Sequence, residues 1–273
     1  MAPRLLIKLL PALLTIGQIM GPIAVVRSQS SKGTSSSQVA QRTTKNEQIK
    51  QLIQQLKSTD PEVRSSAAQS LRNMLGSTES AIPDLIPLLK DLNPEVRSSA
   101  AGALGSMGES AKSTIPDLIP LLKDLNPRVR SSAAFALASM GESAKSAIPD
   151  LIPLLKDQNE EVRSSAASAL GSRRELAKSA IPDLIPLLKD PAARVRSRAA
   201  YALGGMGEFA KSAIPDLIPL LKDPNEWVRS RAAGALGNMG ESAKSAIPGL
   251  ILLLKDPDTG VRSSATYALK ELG

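Results

Sequence analysis

After residue 42 the dipeptide Val-Arg occurs at positions 63, 96, 129, 162, 195, 228 and 261, and every step between these copies is 33 residues. The string SAIPDLIPLLKD stands verbatim at 80–91, 146–157, 179–190 and 212–223, with near copies at 113–124 and 245–256. A period kept this strictly makes each stretch one supersecondary unit. Such a stretch is too short to bury its own apolar face, so it must stack on its neighbours. The units are 43–75, 76–108, 109–141, 142–174, 175–207, 208–240 and 241–273.

Within a unit the apolar spacing is helical. In the second unit Ile82, Leu85, Ile86, Leu88 and Leu89 form a broad stripe, with Asp84, Lys90 and Asp91 off it. Pro83 suits a first helical turn. Pro87 removes an interior N–H, so the first helix either starts late with Asp84 as N-cap or bends at Pro87. The second helix is expected from Pro94 to about Met107, with Val96, Ala100, Ala103, Leu104 and Met107 on one face and Gly108 as its stop. The expected fold class is an all-α solenoid of seven helical hairpins. Thr44-Lys45-Asn46-Glu47 is a capping box. The helix after it carries Ile49, Leu52, Ile53 and Leu56 among glutamines and no proline, which reads as a polar end cap. Gly249 to Leu254 in the last unit is more apolar than its counterparts, and weak self-association is expected there.

With aromatics at 2% the core must be aliphatic, and the absence of Cys and His narrows the chemistry. It excludes disulfides, thiol nucleophiles, Cys or His zinc sites and imidazole acid–base catalysis within the chain. The net charge is +8, but residues 1–42 hold Arg4, Lys8, Arg27, Lys32 and Arg42 and no acid. The repeats therefore hold 29 bases against 26 acids, a weak attractor for nucleic acid.

The N-terminus has its own pattern. Arg4 and Lys8 precede an apolar run from Leu9 to Val26, and small residues follow. This is the form of a secretory signal over residues 1–28, and the run is also long enough to serve as an uncleaved membrane anchor. Either way the repeats are expected outside the cytoplasm (periplasmic, lumenal or extracellular) or tethered through residues 9–26. Residues 29–42 are rich in Ser and Gln, with few large apolar side chains, and are expected to form a flexible linker.

Pro83, the apolar run, Asp91, Val96-Arg97 and Ala100 to Leu104 fall in an order that resembles HEAT repeats, and the likeness extends over 43–273. It is similar in particular to the short HEAT-like repeats of bacterial phycobilin lyase subunits. The resemblance implies an armadillo-like superhelix whose second helices line the concave side. It also implies a hydrogen-bonded ladder between units made by Asp91 and Arg97 and their copies: Asp124, Arg130, Asp157, Arg163, Asp190, Arg196, Asp223, Arg229, Asp256 and Arg262. The first unit departs, with Ser58 where Asp is expected. Some HEAT-repeat enzymes bind two irons through His-Glu pairs, an activity that a chain without histidine cannot carry. Asp84, Asp117, Asp150, Asp183 and Asp216 sit one per unit, too far apart to share a metal, and are expected to cap helices or face solvent. The paired serines have no base to activate them. No cofactor or metal is expected.

Because the scaffold repeats, its departures carry information. At about 100° per residue, positions 95, 99, 102 and 106 of the second unit form one stripe opposite the core face. Most units place Ser, Gly or Glu on it. Arg128 and Phe135, then Arg194, Arg198 and Tyr201, then Trp227 and Arg231, and finally Tyr267 replace them in later units. Four of the five aromatics of the chain lie on this stripe, and Phe209 lies in an inter-unit turn. The fourth unit also has Arg173-Arg174 in place of Met-Gly. Arginine and large aromatics are the types enriched at binding hot spots. The reading is a non-catalytic scaffold that binds a protein or peptide, acidic or phosphorylated, along this stripe. Pigment attachment of the phycobilin lyase type is the alternative, and weak nucleic-acid binding a third.

Overall fold

The computed structural model describes residues 32–74 and 78–273. The expected signal or anchor, residues 1–28, lies outside them. Contacts divide the chain into Met1–Thr44 and Lys45–Gly273. Among the described residues there is no strand, and no helix is long and apolar enough to cross a membrane.

The repeats form a regular series. Long second helices are α2 (Pro61–Asn73), α4 (Pro94–Ser106), α6 (Pro127–Ser139), α8 (Glu160–Gly171), α10 (Ala193–Met206), α12 (Glu226–Asn238) and α14 (Thr259–Glu271). First helices are α1 (Lys32–Gln55), then the single turns α3 (Ile82–Leu85), α5 (Ile115–Leu118), α7 (Ile148–Leu151), α9 (Ile181–Leu184) and α11 (Ile214–Leu217), and last α13 (Ile247–Leu253). Each single turn passes into a 3-10 turn at the second proline, as Pro87–Lys90 does in the second unit. The bent form of the first helix is therefore the one adopted. Asp84 is not an N-cap, since Ala81 holds that place. The two ends of the array supply the control. The first unit has neither proline and its helix is long, while Leu252 stands at the second proline position and α13 runs on through Leu253.

Helix α1 begins at Lys32, inside the segment expected to be a flexible linker through 42. Once Ile49 and Leu56 are buried at its far end, each further residue adds one backbone hydrogen bond to an existing helix, and no proline interrupts.

Each second helix packs against the second helices of the neighbouring units. Gly105, Gly171, Gly204 and Gly237 make the closest approaches. A Cβ on any of them would stand 2.5–2.8 Å from the Cα of Ala136, Ala202, Ala235 or Ala268 on the next helix. Leu85, Val96, Ala100 and Leu104 and their copies fill the interior. At Gly108, Gly141, Gly207 and Gly240 the chain leaves the second helix with φ near +57°, a conformation only glycine adopts without strain.

The polar framework runs from unit to unit. Arg97 donates from Nε and Nη2 to both oxygens of Asp124, at 2.8 and 2.9 Å, and from Nη1 to the carbonyls of Asp91 and Leu92. Arg130–Asp157, Arg163–Asp190, Arg196–Asp223 and Arg229–Asp256 repeat the pairing. Arg64 gives Asp91 the same bidentate contact and reaches the Ser58 carbonyl, so the first unit joins the ladder despite lacking its own aspartate. At the other end Arg262 meets Thr259 and the carbonyls of Asp256 and Pro257. Burial by itself raises the carboxyls of Asp124 and Asp157. The hydrogen bonds from Arg97 or Arg130 and from the next backbone N–H outweigh it, leaving both below their ordinary value. For Asp256 the Arg229 hydrogen bond leads, with the same outcome.

On the first helices four of the five carboxylates expected to cap or face solvent, all but Asp117, are ion-paired to the preceding unit. Lys57, Lys123, Lys156 and Lys189 reach Asp84, Asp150, Asp183 and Asp216 at 2.6–3.4 Å.

Candidate partner-binding face

The stripe of departures lies on the second helices, and the structure sorts its members. Arg128 is neutralised by Glu95 of the preceding unit, with Nη1 2.7 and 2.8 Å from the two carboxylate oxygens. Phe135 is exposed, and Arg72 stacks on it at 5.5 Å from the ring centre. Arg72 lies one position off the stripe of departures. It occupies in the first unit the place of Gly105, Ala138 and Gly171, and it crosses the open space above Gly102 to reach the ring. The same comparison of units, extended by one position, reveals it.

Arg194 and Arg198 on α10 make no ion pair or hydrogen bond through their guanidinium groups among the described residues. Arg231 has no acid partner either, and it lies over the exposed Tyr201 ring at 4.9 Å. Trp227 is 64% exposed. Tyr267 is turned to α12 and donates from its hydroxyl to Asn238 Oδ1 at 3.0 Å.

Three depressions share these residues. The first, about 350 Å³, is lined by Phe135, Ser164, Ser168, Arg194 and Arg198. The second, about 310 Å³, is lined by Arg194, Ser197, Arg198, Trp227 and Arg231. The third joins Arg128, Phe135 and Arg194 to Arg72, Glu95 and Glu161. Arg194 borders all three. Tyr201 borders none of them, and Tyr267 lines a separate depression with Phe209. The charged centre of the face is therefore narrower than the stripe read from sequence, and it lies in units five and six.

The start of α10 strengthens its cationic character. The other second helices take an Asp or Asn side chain as N-cap, whereas Ala192 offers α10 none. Its first turn also carries no acidic side chain to offset the positive end of the helix dipole.

The Arg173 of the Arg173-Arg174 pair turns away from this face. It is buried, 5% exposed, in a place that methionine fills in other units, and it donates to the Leu137 and Gly141 carbonyls with Nε left unpartnered. Burial lowers its pKa from the ordinary arginine value. Among the described residues no cluster of three or more acids is placed to hold a metal ion.

The profile of HEAT repeats matches residues 49–116, 115–204 and 181–270. An engineered protein of known crystal structure is 26% identical and superimposes with a TM-score of 0.62 over 82% of this chain and 68% of its own. A designed armadillo repeat protein is 24% identical with a TM-score of 0.54, over 82% of this chain and 99% of its own. Another, in complex with the peptide (KR)4, is 24% identical with a TM-score of 0.55, over 82% and 98%. The last two likenesses show the fold alone. No curated protein matches the chain. The 33-residue hairpins, their unit-to-unit arginine–aspartate ladder and the profile match over most of the chain agree, and the chain belongs to the HEAT-repeat family.

Proposed function

We propose that this chain is a non-catalytic scaffold that docks an acidic segment of a partner protein on the second-helix face of units three to six. The reading rests on one observation above the others. Arg194, Arg198 and Arg231 stand without acid partners where most units carry serine or glutamate, and they share their depressions with exposed Trp227 and Phe135. Guanidinium groups supply planar donors and charge, and fixed rings supply apolar area at small entropic cost. Two or three of these side chains dominate the affinity, at ~2 kcal/mol or more each on truncation. The Arg128–Glu95 pair, exposed and already neutral, contributes little.

The immobilised chain is expected to retain poly-glutamate and not poly-lysine, with retention falling as salt rises. Arg194→Glu combined with Arg231→Ser abolishes retention, while Lys90→Ala combined with Lys222→Ala on the first helices leaves it unchanged. Equal retention by both double variants would mean that the stripe is ordinary solvated surface.

The docking is assigned to a compartment outside the cytoplasm on the strength of residues 1–28. N-terminal sequencing of the protein from its native cell tests this: a mature chain beginning near Gln29, or a membrane-tethered one, agrees. A chain starting at Met1 in the soluble cytoplasmic fraction contradicts it. Ile251, Leu252 and Leu254 are exposed at the last unit, and weak self-association through them is expected on sedimentation at high concentration.

A further inference from the structure

We propose that the depression between the fourth and fifth units takes a phosphate monoester carried on a serine or threonine of the docked segment. This rests on the reading of the face as a site for acidic segments and specifies the group recognised there. The observation behind it is a broken pattern of serine contacts. At four of the six junctions between units, a serine of one second helix meets a serine of the next at 2.9 Å: Ser65 with Ser99, Ser98 with Ser132, Ser131 with Ser165, and Ser230 with Ser264. At the other two junctions the second serine is replaced, by Arg198 opposite Ser164 and by Arg231 opposite Ser197. The Ser164 side chain is thereby left without a hydrogen-bond partner among the described residues, although the residue is only 2% exposed, and it lines the depression.

Among the described residues Arg173 Nε is the one fully buried side-chain polar atom without a partner, so the Ser164 hydroxyl is not sealed in the core but opens on the depression as an unengaged donor. Two guanidinium groups without counter-ions, Arg194 and Arg198, border the same space. A carboxylate brings one charge and two oxygens. A phosphate monoester brings nearly two charges and three strong acceptor oxygens, which match two guanidinium groups and one hydroxyl donor. The surroundings favour a peptide over a free anion. The exposed Phe135 ring forms one wall, and the adjoining depression offers Ser197, Trp227 and Arg231 to the residues that follow along the segment.

The test is fluorescence polarisation on the full chain with three short fluorescein-labelled acidic peptides, alike except at one position that holds phosphoserine, serine or glutamate. The phosphoserine peptide is expected to bind about tenfold more tightly than the glutamate form, the ratio set by the stronger charge-assisted contacts. Arg198→Ser installs the repeat's own residue and gives Ser164 a partner, so the variant melts no lower than the parent while the phosphoserine preference disappears. Arg194→Glu, which installs the residue of the second and fourth units, has the same effect on binding. Equal affinity for the glutamate and phosphoserine peptides would overturn phosphate recognition and leave acidic docking standing. Failure of all three peptides to bind would overturn both. Inorganic phosphate binding as tightly as the phosphopeptide, or phosphatidylcholine vesicles containing phosphatidic acid capturing the chain equally well, would overturn the peptide as the source of the phosphate.

Discussion

Arg173 shows how far a single residue can be read before its surroundings are known. Its departure from methionine at 107, 140, 206 and 239 is plain in the sequence, and so is that of Arg198 from serine. The sequence does not show that Arg173 turns inward to the carbonyls of the third unit while Arg198 stays in the open, because that depends on how adjacent helices sit. A buried cation with no acid beside it loses hydration that hydrogen bonds to carbonyls only partly replace. Arg173→Met is therefore expected to stabilise the array by ~1–4 kcal/mol, seen as a higher midpoint in urea. A lower midpoint would mean that the guanidinium holds the third and fourth units together. Arg97→Ala has the opposite sign. It leaves Asp124 and the carbonyls of Asp91 and Leu92 without their donor and is expected to cost ~1–3 kcal/mol, against no loss if the ladder were solvated surface.

At the level of elements, the helical hairpins, their lengths and the stop at Gly108 follow from apolar spacing and from Pro and Gly positions. The choice between a late start and a bend at Pro87 does not, because both versions bury the same leucines. The aspartate that each ladder arginine reaches is also beyond pattern reading, since one in its own unit and one in the next are equally regular in sequence. Glycines that look alike in sequence differ in role for the same reason. A Cβ at Gly171 meets the Ala202 backbone at 2.5 Å, whereas one at Gly234 meets nothing within 4 Å. Gly171→Ala is expected to destabilise by ~1–3 kcal/mol through forced separation of α8 and α10. Gly234→Ala is expected to stabilise by up to ~1 kcal/mol through helix propensity. Thermal melts of the two variants moving together would contradict this account of the packing. Ala192→Asn supplies the cap that α10 lacks and should add ~1 kcal/mol, with weaker binding of acidic ligands beside it.

Across the whole array, stability is shared between neighbours and depends on the ladder carboxylates. Asp124, Asp157 and Asp256 hold their protons less tightly when folded than their ordinary value of 3.8. The unfolded chain therefore takes up protons first as pH falls. The contribution of these groups is complete above about pH 5 and is lost as pH drops through the folded values, so the melting temperature should fall steeply in acid and stay level above that range. A melting temperature insensitive to acid would contradict the ladder's role. Taken together, residues that repeat hold the fold, and residues that depart from the repeat on the second-helix face bind the partner. The most direct test is to return two departures to the repeat's own residue, Arg198→Ser with Arg231→Ser, and to measure melting and acidic-phosphopeptide affinity on the same preparation. The account predicts a melting temperature at or above the parent's, with affinity reduced by about a hundredfold or more as two hot-spot arginines are lost. Unchanged affinity, or unfolding at a lower temperature with affinity retained per folded molecule, would show that these arginines serve the scaffold and not a partner.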